Sequence, residues 1–242
     1  VFNEDVEADT VDIERTGFAS SVYFDAADDY YHRVGYTLAN NTTTQKSTEA
    51  TSLNGEENKS LTSSSAIYTL GRRTVDNRYD PTEGSLFEIT EEFSGLGGDV
   101  NYLKTNLRSA YYKPFAFRKF VLGIRGELGY VDGLGDKVSQ SARFTLGGRR
   151  LRGFDSGGIG PRDSGSGSAV GGNKVYSGSV EVISNFGLSD DLGIRWTVFS
   201  DFGSVWETDY PDGVTKPNDN AMRQTLGVGF LWDTGIGPLT FF

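Results

Sequence analysis

No cysteine occurs among the 242 residues. That excludes a disulfide scaffold, a thiolate metal site and a thiol nucleophile. A single histidine, His32, excludes a His-rich metal centre and leaves at most one imidazole for a catalytic triad. Basic residues are scarce beside acidic ones, 23 against 33, for a net charge of −10. The imbalance is concentrated at the start, where residues 1–60 hold 12 acids and 4 bases. Such a segment repels nucleic acid and reads as a solvated, loop-rich region. Long apolar runs are also missing. Nothing approaches the ~18 consecutive apolar residues of a transmembrane helix, and mean hydropathy is −0.39. A transmembrane barrel stays open, because its strands carry only an alternating hydrophobic signal. Val1-Phe2-Asn3 has neither a basic nor an apolar leader character, so the start does not indicate a compartment. Proline is low at 6 and glycine high at 32. That balance suits strands joined by tight turns better than helices, where an interior Gly costs about 1 kcal/mol.

What is present alternates with period two. Phe120, Leu122, Ile124, Leu128 and Tyr130 share one parity, and Arg125 and Glu127 take the other. Leu226, Val228, Phe230 and Trp232 alternate with Thr225, Gly227, Gly229 and Asp233. Leu103, Leu107 and Tyr111 alternate with Lys104, Asn106 and Arg108. Phe87, Ile89 and Phe93 oppose Glu88, Thr90 and Glu92. Strict alternation means strands with one apolar and one polar face.

Turn signals such as Asp80-Pro81-Thr82-Glu83-Gly84, Lys113-Pro114 and Ser189-Asp190-Asp191 separate these runs. About 12 strands are predicted, near 1–7, 16–24, 33–42, 61–75, 85–94, 100–114, 118–131, 141–147, 174–184, 193–206, 222–233 and 237–242. Several reach the ~10 residues that a tilted strand needs to cross a bilayer. Connections near 80–84 and 186–192 are short, while 43–60 and 148–173 are long. Short turns on one side and long loops on the other are the habit of an outer-membrane barrel. A soluble β-sandwich binding module alternates too. Strand length, charges on the polar parity and aromatics at strand ends favour the membrane barrel.

The densest segment is 147–173, with 10 glycines. Between Arg143 and Arg162 lie five arginines and one acid, Asp155. A phosphate loop does not fit, because Asn173 stands where the Walker pattern after Gly167 and Gly172 requires Lys, and no helix follows. His32 follows Asp28-Asp29-Tyr30-Tyr31. An Asp and His together can suggest an outer-membrane hydrolase, but no nucleophile motif is near and an acidic turn accounts for them. The Ser/Thr/Asn-rich run 43–60 reads as a flexible loop.

Leu151-Arg152-Gly153-Phe154 followed by Gly158-Ile159-Gly160-Pro161-Arg162 resembles the RGF…IGPR loop of the BamA family, the central barrels of the bacterial outer-membrane β-barrel assembly machinery. Four further stretches match in the same order. They are Asp76-Asn77-Arg78 with Pro81, Thr82 and Gly84; Gly171-Gly172-Asn173 with Glu181; Phe199 to Trp206 in the pattern F-x-D-x-G-x-V-W; and Gly227-Val228-Gly229 through Gly237-Pro238-Leu239. Residues 1–60 match in strand rhythm alone.

The resemblance implies an all-β antiparallel transmembrane barrel in the outer membrane of a Gram-negative bacterium. It implies that 1–242 is a partial barrel domain carrying about 12 of sixteen strands, from near the fourth into the fifteenth, without both seam strands and without the periplasmic POTRA domains. The loop 148–173 would fold into the lumen. Arg152 would meet carboxylates matching Glu181 and Asp201, Gly153 would let the backbone approach the wall, and Phe154 would be the apolar anchor. Gly158, Ile159, Gly160, Pro161 and Arg162 would shape the loop. Parity agrees: Asp201 lies with Arg195 and Thr197, and Glu181 with Ser177 and Ser179, on the polar side. The implied function is non-enzymatic insertion of nascent outer-membrane barrels by strand templating at a lateral seam. Neither cofactor nor metal is implied. Implied partners are outer-membrane lipids, nascent barrel proteins, lipoprotein subunits and POTRA domains, and no nucleic acid. The alternatives are a TamA-like or two-partner-secretion translocator and a porin-like channel.

Overall fold

A computed structural model describes residues 2–7, 11–45, 59–165, 167–185, 187, 193–209, 214–215, 219–234 and 237–242. The alternating runs form one meandering antiparallel sheet. Its strands are β1 (Phe2–Glu7), β2 (Val11–Ala27), β3 (Tyr30–Gln45), β4 (Lys59–Arg73), β5 (Gly84–Ser94), β6 (Tyr102–Phe115), β7 (Phe120–Gly133), β9 (Lys174–Ser184), β10 (Ile194–Trp206), β12 (Arg223–Thr234) and β13 (Gly237–Phe241). Each pairs with its neighbour in the chain, and β1 and β13 are the two edges. A second ladder joins two loop segments, β8 (Arg162–Asp163) and β11 (Val214–Thr215).

Eleven of the predicted strands are found among the described residues. The segment 141–147 is not a strand. Gln140–Ala142 is a 3-10 turn, and Phe144 and Leu146 make single bridges to Gly172 and Ile159. Its alternation has another cause: Ala142, Phe144 and Leu146 are buried in the interior. β2 and β3 are longer than the pattern suggests, because Val11 to Arg15 and Thr43 to Gln45 extend the ladder. Most of the predicted flexible loop 43–60 lies outside the described residues.

Register fixes the two faces. Ile124 stands opposite Val180, and Val180 opposite Ser200, while Arg125 and Asp201 both stand opposite Ser179. One parity therefore points to the concave side and the other outward. The outward parity leaves large apolar side chains bare, including Val22, Leu128, Val228 and Leu226, the last 80% exposed. A water-soluble sheet would cover such a face. A lipid-facing one need not, since backbone groups are satisfied within the ladder and the side chains meet hydrocarbon.

β2 and β3 also mark where the apolar band ends. Phe18 pairs with Leu38, but above them Thr16 pairs with Asn40 and Glu14 with Thr42. At 17 and 16 residues, these strands exceed the ~9–11 that a bilayer needs, so their polar ends stand clear of it on the long-loop side.

On the opposite side, the β4–β5 turn at 74–83 is organised by Asp76. The Thr82 hydroxyl donates to Oδ2 at 2.6 Å, and the amides of Thr82 and Glu83 donate to Oδ1 at 2.9 and 3.1 Å. Led by the Thr82 hydroxyl, these donors hold the carboxyl down to about 2.

The apolar core lies on the concave side of the sheet. The segment 134–173, between β7 and β9, folds back against the inner wall. Val138, Ala142, Phe144, Leu146, Leu151 and Ile159 from it pack on Tyr102, Val131, Val175 and Val205 from the wall. The buried stretch thus begins before the expected boundary at 148.

Candidate functional site: the in-folded loop and its clamp

Arg152 is the centre of the site. Its side chain is 6% exposed, between Glu181 at 8% and Asp201 at 2%. Nε and Nη2 donate to the two carboxylate oxygens of Asp201, both at 2.7 Å. Nη1 reaches Glu181 Oε2 at 3.3 Å, and Nη2 also donates to Ser179 Oγ at 3.0 Å. The Arg152 amide donates to Asp201 Oδ2 at 3.1 Å. Only a planar fork meets a carboxylate bidentately while bridging to a second one. On the other side of Glu181, Arg125 of β7 contacts Oε1 at 3.1 Å. Two guanidiniums and two carboxylates therefore form one network across β7, β9 and β10, which compensates the burial of each charge.

The flanking residues follow their chemistry. Gly153 has φ +88, and a Cβ there would sit 3.2 Å from Thr225 Cγ2 on β12. Glycine accepts that left-handed backbone and that approach to the wall without strain. Phe154 is partly buried and packs on the apolar core. Gly158 donates its amide to Asp155 O at 2.8 Å, closing the tip. Ile159 and Pro161 are buried. Gly160 has φ +106, and any Cβ would overlap Val205. Arg162 donates to the carbonyls of Gly167 at 2.7 Å and Gly157 at 3.3 Å, and its backbone pairs with Thr215. Arg152, Glu181 and Asp201, which the BamA resemblance implies to meet, are in contact.

Several contributors were missed. The Phe199 ring lies 3.5 Å from the Arg152 guanidinium carbon and covers one face of it. Phe199 shares the parity of Asp201, so its direction was legible. Ser179 shares the parity of Glu181 in the same way. A second clamp joins Arg150 Nη2 to Glu127 Oε1 at 2.6 Å, with Asn106 Nδ2 donating to the same oxygen at 3.0 Å. Arg143 staples the loop to itself. Its Nε and Nη2 donate to Val138 O at 3.1 and 2.9 Å, and Nη1 donates to Val170 O at 3.2 Å. No local motif indicated those partners.

His32 belongs to no such network. It lies on β3 facing outward, stacked on Phe24 at 5.1 Å, with Nδ1 2.7 Å from the Tyr68 hydroxyl. Among the described residues no cluster of metal-ligating side chains occurs.

The antiparallel lipid-facing sheet that carries this arginine-clamped loop has counterparts among known proteins. The model of the Omp85 superfamily domain matches residues 2–242. The chain belongs to the Omp85 superfamily. Among curated relatives, outer membrane protein assembly factor BamA of Nitratidesulfovibrio vulgaris is 31% identical over 183 residues, 74% of this chain and 22% of that protein. BamA of Neorickettsia risticii is 29% identical over 177 residues, 73% of this chain and 24% of that protein. BamA of Neisseria meningitidis serogroup B is 28% identical over 197 residues, 71% of this chain and 25% of that protein. This Omp85 chain thus spans about a quarter of the length of these relatives. The crystal structure of BamA from Haemophilus ducreyi lacking POTRA domains 1-3 superposes with a TM-score of 0.80 at 22% identity, covering 98% of this chain and 52% of that one. The fold is that of a BamA barrel, and the location is the outer membrane of Gram-negative bacteria. Among the described residues the sheet of this Omp85 domain is not closed, as in a partial barrel. In outer-membrane barrels short turns face the periplasm and long loops the cell exterior.

Proposed function

We propose that this chain is barrel wall from an outer-membrane assembly factor, which folds and inserts other β-barrel proteins without catalysing covalent chemistry. The observation that carries this reading is the Arg152–Asp201–Glu181 clamp. It holds a long loop inside the lumen, where a diffusion channel would keep open water. The curated relatives are named for outer membrane protein assembly, which supports the same role.

In this reading the loop is a brace. By tying β7, β9 and β10 together it keeps one side of the barrel rigid while the seam elsewhere opens. An opened seam offers unpaired backbone N–H and C=O groups, and an incoming strand pairs with them. Pairing lowers the cost of carrying polar backbone into lipid. The reaction is an exchange of hydrogen bonds, so neither metal, nucleotide nor other cofactor enters it. Clients are nascent outer-membrane barrels. Lipids, periplasmic POTRA domains and lipoprotein subunits are the other partners.

The test is replacement of the resident barrel segment in a bacterium depleted of its own assembly factor. Restored assembly of client barrels, lost again with Arg152→Ala, is the expected result. A segment that leaves clients unassembled and conducts ions as a stable open channel in planar bilayers would overturn the proposal in favour of a pore. Export of a soluble passenger without client assembly would favour a translocator.

A further inference from the structure

Three connections of the periplasmic rim are acidic by sequence, the one at 234–237 is uncharged, and a single one is basic. The β2–β3 turn is Asp28-Asp29, the β4–β5 turn holds Asp76, Asp80 and Glu83 against Arg78, and the β9–β10 connection holds Asp190 and Asp191. The β6–β7 hairpin differs. From Lys113 to Phe120 it reads Lys-Pro-Phe-Ala-Phe-Arg-Lys-Phe, three bases and three phenylalanines without an acid.

The structure gives this segment a definite shape. Ala116, Phe117 and Arg118 all have positive φ, 48°, 59° and 64°. The Lys119 amide donates to Ala116 O at 3.3 Å, and Ser184 Oγ of β9 donates to Lys119 O at 2.6 Å. The turn is thereby tied to the wall while Phe117 stands 99% exposed at its tip. Just inside it, Lys113 and Phe115 share the lipid-facing parity of Tyr111. Phe115 and Phe120 stack at 5.5 Å, and Phe120 meets Trp196 edge-on at 6.1 Å. An aromatic wall therefore runs directly into a cluster of cations at the inner edge of the apolar band.

We propose that the β6–β7 turn binds anionic phospholipid headgroups of the periplasmic leaflet. Phe117 inserts at the boundary between headgroups and acyl chains, and Lys113 and Arg118 take the phosphate, with the Lys119 charge adding to the local field. The rings already face hydrocarbon, so the occupant must be an amphiphile that offers acyl chain and negative charge together. A soluble protein cannot reach that wall. Arg118 pairs with Glu83 at 3.0 Å, but the two side chains are 68% and 58% exposed. A phosphate can therefore compete for the guanidinium fork. The acidic neighbouring turns repel the same headgroups, which confines the preference to this hairpin.

The absence of cysteine supplies the probe. Ala116→Cys, labelled with an environment-sensitive fluorophore, is a single reporter beside Phe117. The labelled protein is folded into phosphatidylcholine vesicles containing equal minor fractions of either brominated phosphatidylglycerol or brominated phosphatidylcholine. Local enrichment of phosphatidylglycerol is expected to be about fivefold, seen as stronger quenching. It should fall away in K113Q/R118Q/K119Q or at high salt, and persist in R78Q. Equal quenching by both lipids overturns the proposal; it is the result for a purely apolar anchor or a soluble periplasmic partner. A preference that survives high salt overturns it too, a readout that does not depend on the triple variant folding.

Discussion

Two walls of the same sheet are held in different ways. β6, β7, β9 and β10 carry a docked loop, an apolar core and a buried ion network. β2, β3 and β4 carry small polar residues on the concave side, such as Thr37, Ser63, Ser65 and Thr69, linked by hydroxyl contacts including Thr69 to Thr90 at 2.9 Å. The first wall has tertiary structure in the sense of a globular protein. Among the described residues the second has no docked loop and relies on its backbone ladder, on lipid and on polar contacts such as Tyr31 with Glu88 and Arg73. Strand pairing alone suffices to build a barrel wall, and loop docking is added where a wall must stay rigid.

Four perturbations sharpen or break that contrast. Arg152→Ala should have the largest effect, because it leaves Asp201 and Glu181 buried with lost partners. The loss is about 3–5 kcal/mol for a dry pair, lowered by lumen water. It is read as a drop in the urea midpoint and in the heat-modifiable gel shift. Arg33→Ala on the other wall removes a 3.2 Å bond to Thr69 and should cost less than about 1 kcal/mol. Equal losses at the two sites would erase the distinction between the walls. Leu151 is fully buried, and Leu151→Ala should cost about 2–4 kcal/mol through the cavity left behind, by the same urea assay. Arg150→Ala breaks the Glu127 clamp, whose arginine is 36% exposed. About 1 kcal/mol is expected, and more than that would make it the equal of Arg152.

The smallest effect should come from Asp76, outside both walls. Its carboxyl titrates near 2 when folded, below the ~3.9 of an unfolded chain. Its stabilising contribution is thus complete above pH ~4 and is lost as pH falls towards ~2. Asp76→Asn should lower stability modestly at neutral pH, leave it nearly unchanged near pH ~2, and so flatten the acid dependence of unfolding within that window.

Much of this was legible from residue parity. Alternation put Arg125, Glu181 and Asp201 on the inner face, and the RGF loop supplied the cation that joins them. Alternation misled at 141–147, because Ala142, Phe144 and Leu146 alternate to fill a core rather than to pair in a ladder. Period two reports a two-sided environment, and a loop pressed against a wall has one as well. The Arg150–Glu127 and Arg143–Val170 contacts stayed hidden because they depend on how the loop doubles back, which no local pattern specifies.

The order of these parts along the chain has a kinetic consequence. Part of the loop's docking surface, Tyr102, Glu127 and Val131, precedes it, but the partners of the clamp come later: Ser179, Glu181 and Asp201 follow Arg152, and Thr225 follows Gly153 at still greater separation. Loop closure over such separations is slow compared with hairpin formation between neighbours. β2 to β7 can zip up as sequential hairpins while Leu146, Leu151 and Ile159 remain uncovered. The core and its clamp then close only after β9 and β10 have joined, later than the hairpins that precede the loop.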